Sequence, residues 1–130
     1  MPDGRSDPAA VASVVAAEVH EALGAGDAIE VDDPIVEPCF DSMGRETGEV
    51  AARVHSRAQP GAVTQERFDE LGERLGAADV RRYDVREPTG EGRVIGQEQQ
   101  LFADRDGLEV NVTMSLTDDG FTASVRTACP

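Results

Sequence analysis

Tryptophan and lysine are both missing from this chain, and aromatic residues are scarce, with four Phe and one Tyr in 130 residues. A core with so few aromatic anchors has to be built from Val, Leu, Ile and Ala. Hydrophobic residues amount to 39%, below the usual globular share, yet their periodicity favours a folded chain over a disordered one. No apolar run approaches the ~18 residues that a membrane-spanning helix needs. The opening stretch, Met1-Pro-Asp-Gly-Arg-Ser-Asp-Pro8, holds no hydrophobic segment of signal-peptide type. Export therefore requires that a leader has already been removed; the alternative is an intracellular protein.

Positive charge is also short. Twelve Arg stand against 26 acids, giving a net charge of −14. A chain this acidic is repelled by phosphate backbones and anionic lipid, so neither nucleic acid nor a membrane is the expected partner. The one concentration of Arg, at Arg81, Arg82 and Arg86, reads as the solvent edge of a strand. Arg in place of Lys, with much Ala, Gly and Val, fits a GC-rich coding genome, while a halophilic source explains the acidity equally well.

What is present is a pattern of elements. The length suits a single domain, here expected over residues 9–130 behind a disordered tail at residues 1–8. Asp7-Pro8 supplies a helix cap and a first-turn proline, and Val11, Val14, Val15, Val19 and Leu23 form one apolar stripe. Gly24 and Gly26 stop that helix. Residues 28–40 read as irregular, with a short edge strand over Ile35–Phe40, and residues 41–48 as a loop. Val50, Ala52 and Val54 alternate with polar residues as a strand with one wet face. Thr64 caps a second helix carrying Phe68, Leu71 and Leu75, weakened by Gly72 and ended by Gly76.

Val80, Tyr83 and Val85 mark the next strand, and residues 93–103 a long one of mixed faces. Leu108, Val110, Val112, Met114 and Leu116 then alternate strictly with polar residues, as do Phe121, Ala123 and Val125. Asp106-Gly107 and Asp119-Gly120 are the tight turns joining these strands into a meander. The fold class is α+β, an antiparallel sheet of four to six strands with two helices on one face, in the order α-β-β-α-β-β-β-β.

No catalytic, metal or cofactor motif emerges, so an enzyme is not expected and no cofactor is called for. His20 and His55 lack a second ligand at metal spacing and read as surface histidines. Asp104-Arg-Asp106-Gly107 lacks the twelfth-position acid of a calcium loop, since Ser115 occupies that slot, and reads as a hairpin turn. Gly90-Glu-Gly92 lacks the Lys of a phosphate loop.

Cys39 and Cys129 are the only cysteines. The parity of the last strand carries Cys129 off on the side that Phe121 and Val125 bury. A Cys39–Cys129 bridge would tie the Pro-rich segment to the C-terminus and closes a loop of 90 residues (129 − 39). Two unrelated free thiols are the alternative. A bridge implies an oxidising compartment.

The C-terminal half resembles a known group. Its helix Gln65–Leu75, the strand Val80-Arg-Arg-Tyr83-Asp-Val85 and the run Leu101 to Val112 come first. They end in Gly120-Phe-Thr-Ala-Ser-Val-Arg-Thr-Ala-Cys129-Pro130. The pattern resembles small actinobacterial secreted proteins and lipoproteins of unknown function. That resemblance implies an extracytoplasmic location and pairing of the last Cys with one upstream. The chain departs from it in having no lipobox or leader, and in Tyr83 where a Trp is often found.

The leading expectation is a non-enzymatic extracytoplasmic domain binding a protein or small ligand at the cell envelope, lipid-anchored or secreted in its native form. The polar strand residues Glu109, Asn111, Thr113 and Ser115 line the sheet face left for a partner. The rivals are an intracellular acidic binding protein, antitoxin- or chaperone-like, and a small cone-shaped pocket protein, carrier or enzyme. A pocket needs a polar group inside an apolar sheet face, and Glu98 or Gln100 are its candidates.

Overall fold

The computed structural model describes residues 7–76 and 79–129. The tail expected over residues 1–8 lies outside the described residues as far as residue 6, as does Pro130. Helix α1 (Pro8–Leu23) starts as the sequence dictates: Asp7 caps it by accepting from the Ala9 amide at 3.1 Å, and Gly24 closes it at φ 68°. Its buried face is Val11, Ala12, Val15, Ala16, Val19 and Leu23. Val14, expected on that stripe, is 52% exposed. At ~100° per residue it falls about 60° outside the arc the others share.

A 3₁₀ turn (Gly26–Ala28) leads into strands β1 (Ile29–Val31), β2 (Ile35–Phe40) and β3 (Glu46–Ala58). Helix α2 (Gln65–Leu75) follows, capped by Thr64, whose hydroxyl accepts from the Arg67 amide at 3.2 Å. The chain finishes with β4 (Asp79–Arg86), β5 (Val94–Arg105), β6 (Leu108–Thr117) and β7 (Gly120–Thr127). The class is α+β as the pattern requires, but the antiparallel sheet has seven strands. The extra one is β1, three residues held by Ser56–Ala58 of β3. Strand β3 is also longer than its apolar alternation indicates, because β2 pairs with it as far back as Glu46.

The sheet order is β1-β3-β7-β6-β5-β4, with β2 also on the outer side of β3. Both helices cover one face of this sheet. Ala52 and Val54, Val125 and Phe121, Val110 to Met114, and Leu101 point into that layer. The core is aliphatic apart from two phenylalanines, Phe68 and Phe121, which are its largest fully buried side chains. Gly72 lies where α2 meets the sheet, and a Cβ there would come within 2.7 Å of Val80 Cγ2. Its cost to the helix is thus offset by close packing.

The β5–β6 turn is Asp106-Gly107, with φ 52° and 82°, the pair of positive values a tight hairpin needs. The β6–β7 turn sits one residue earlier than expected. Thr117 pairs with Gly120, so Asp118-Asp119 make the turn and Gly120 opens β7. Gly120 is required there for another reason: at φ 121° its Cβ would lie 2.5 Å from the Ala58 carbonyl oxygen.

Candidate functional site

Strand β7 pairs with β3 only over Arg53–Ala58. Beyond that point β2 and the first half of β3 run on as a two-stranded arm. Where the ladder ends, the Thr127 hydroxyl accepts from the Ala52 amide at 3.0 Å. The arm is then fixed covalently, because Cys39 of β2 is bonded to Cys129, with Cα atoms 5.8 Å apart. Its tip is ordered by Asp41, whose carboxylate accepts from the Met43 amide at 2.8 Å and the Arg45 amide at 3.0 Å.

This arm exposes apolar side chains. Val36 and Val50 lie on the face that α1 covers further along the sheet, since Val36 pairs with Ala52 and Pro38 with Val50. Past the helix that face is open, and Val36 is 54% exposed. Phe40 (57%) and Met43 (76%) extend the apolar surface to the tip. Glu37, Asp41, Glu46 and Glu49 against Arg45 make the same arm acidic. The edge strand expected over Ile35–Phe40 is β2, whereas of the loop expected over residues 41–48 only the turn about Asp41 and Gly44 (φ 79°) is a loop, β3 starting at Glu46.

The face away from the helices is polar. Glu109, Asn111, Thr113 and Ser115 lie on it as their alternation indicates, beside Ser124 and His55 of the neighbouring strands. Three of its cations have defined partners. Arg57 grips Asp32 with two bonds of 2.9 and 3.1 Å, Arg53 pairs with Glu37, and Arg81 lies 4.9 Å over the Phe102 ring. The hydrogen bonds from Arg57 hold the Asp32 carboxyl below the usual carboxylate range.

Glu98 and Gln100 sit together on this open face, with the Gln100 amide donating to Glu98 at 3.4 Å. The polar group inside the apolar layer is their neighbour Gln99. It is fully buried, and its Nε2 donates to the Phe68 carbonyl at 2.7 Å. Its Oε1 has no partner among the described residues. The parity of Leu101 on the same strand was the signal that picks Gln99 over its neighbours.

A cleft of about 540 Å³ opens where the two helices end, lined by Glu18, Glu21, Ala22, Arg74, Leu75 and Arg105. The Glu18 carboxylate and the Arg105 guanidinium meet across it in two bonds of 2.6 and 2.8 Å. Those bonds lower the Glu18 pKa and raise that of Arg105. His20 is half-buried rather than a surface residue. Its Nε2 lies 2.9 Å from the hydroxyl of buried Ser56, and burial lowers its pKa.

Among the described residues no three His, Cys, Asp or Glu converge as metal ligands. No helix among the described residues is long and apolar enough to cross a membrane. Set against protein-family models, curated proteins and solved structures, the chain has no match in any of the three.

Proposed function

We propose that this is a non-catalytic recognition domain of an extracytoplasmic compartment, which binds a partner protein through the β2–β3 arm. The observation that carries the reading is the Cys39–Cys129 bond, which pins an arm showing Val36, Phe40 and Met43 to solvent. Apolar side chains concentrated on one projection of a molecule with net charge −14 favour a contact surface over a solubility surface. The covalent staple limits the arm's freedom before contact, which lowers the entropy lost on binding. A disulfide suits an oxidising compartment, and the likeness of the C-terminal half to small secreted actinobacterial proteins supports the same location. The acids of the arm select a partner whose apolar groove is rimmed by basic side chains.

A photoreactive residue placed at Met43, in cells that make the protein, tests this. The expected result is one discrete cross-linked protein, lost when Phe40→Ser is added. Adducts of equal yield from Met43 and from Glu109 on the open face would overturn the assignment to the arm.

A further inference from the structure

The two edges of the sheet are built differently. One carries β1 and β2, and β2 is blunted by Pro38 and by an irregularity between Pro38 and Phe40. The other edge is β4, which pairs with β5 alone and exposes every residue except Val85. Its ladder is regular from Asp79 to Val85, and it contains neither Pro nor Gly. An exposed, regular edge offers a row of free amides and carbonyls to another strand.

From this edge we infer that the protein self-associates through β4, the occupant being a second copy of this chain paired antiparallel about a two-fold axis through Tyr83. The register follows from geometry and charge. Opposed residues of an antiparallel pair point to the same face, and a two-fold axis normal to the sheet keeps every side chain on its own face. The axis must therefore pass through a residue, which then faces itself. An axis at Arg81, Arg82 or Asp84 sets like charges opposite each other, a destabilising arrangement. Axes at Val80 or Val85 overlap only three residues of β4, and one at Asp79 or Arg86 fewer still. The axis at Tyr83 overlaps residues 80–86, opposes Arg82 to Asp84 twice, and brings the two exposed Tyr83 rings together.

Both charged groups have capacity left for a partner. Among the described residues the Asp84 carboxylate has an ion pair with Arg86 alone, at 3.9 Å. Arg82 uses Nη2 to donate to the Asp69 carbonyl at 2.7 Å, leaving further guanidinium donors. In the pair the sheet runs unbroken through both copies, and the β2–β3 arms project from its two far ends. The net charge of −14 on each copy opposes association, so the dimer forms at an ionic strength that screens it, ~0.15 M.

Sedimentation equilibrium of the full chain at that ionic strength tests the inference, with circular dichroism confirming the fold of each variant. The wild type is expected to give twice the 13.8 kDa chain mass. Asp84→Arg, which sets Arg opposite Arg82 and disturbs no other close bond, weakens association by ~tenfold or more. Arg82→Asp does the same, and the double exchange Arg82→Asp with Asp84→Arg restores the dimer. A monomeric wild type up to ~1 mM, or a dimer indifferent to both single exchanges, would overturn it. So would a folded double variant that stays monomeric.

Discussion

Cys39 lies inside β2 and Cys129 two residues past the end of β7, and a disulfide joins them across 90 residues of chain. Neither sheet ladder reaches the outer arm from the body, so this bond is its covalent tether. On the chain-entropy model a loop of that length is worth about 4–5 kcal/mol, through restriction of the unfolded chain. Replacing both cysteines by Ser is expected to lower stability by about that amount in urea unfolding. It also speeds tryptic cleavage at Arg45 in the arm's tip. A loss below ~1 kcal/mol would mean that the arm is held by its hydrogen bonds alone.

His20 gives the fold a pH dependence of known sign. Burial beside Ser56 depresses its pKa below 6.5, so the unfolded chain binds the proton more readily. Stability from this group is full above about pH 6.5 and falls as pH drops through the folded value. His20→Gln flattens the slope of unfolding midpoint against pH between ~5 and ~7. The imidazole resonances of His20 titrate below 6.5 in the folded protein.

Glu18 contributes with the usual carboxylate sign. Its folded pKa is lowered by Arg105, so its share of stability is present above the unfolded value and is lost as pH falls. Both side chains are more than a third exposed, and solvent screening holds the effect to under ~1 kcal/mol. Glu18→Gln removes that acid-side slope: it lowers stability at neutral pH by no more than that share, under ~1 kcal/mol, and leaves stability in acid unchanged.

Gln99 is a polar side chain in an apolar layer, with one atom satisfied and one not. Gln99→Met deletes the unpartnered oxygen at similar volume and is expected to change stability by less than ~1.5 kcal/mol. Gln99→Glu puts a charge in the same place and costs ~3 kcal/mol or more at pH 7. Thermal unfolding of the two variants separates these outcomes.

Gly120→Ala is expected to destabilise by ~2 kcal/mol or more. The new methyl would sit 2.5 Å from the Ala58 carbonyl oxygen on a backbone at φ 121°. The rigid neighbour here is main chain, which cannot turn aside.

The meander was legible because β6 and β7 are buried on one face only, and strict alternation is the signature of that state. Helix starts were legible from Asp7 and Thr64, whose caps need no tertiary information. The arm was not. Glu46-Thr47-Gly48 has no apolar rhythm, and becomes strand only because β2 supplies the partner ladder. The β5 faces were ambiguous too, since Gln97 to Gln100 are polar on both parities. The parity of Leu101 is the one sequence clue, and the register with Met114 agrees with it in sending Gln99 inward.

The most direct test of the account is a thiol count on native protein recovered from its own cells without reductant. Alkylation followed by mass measurement should find neither Cys39 nor Cys129 modified, and both modified once the protein is denatured and reduced. Two alkyl groups before reduction would contradict the stapled arm, and with it the proposed compartment.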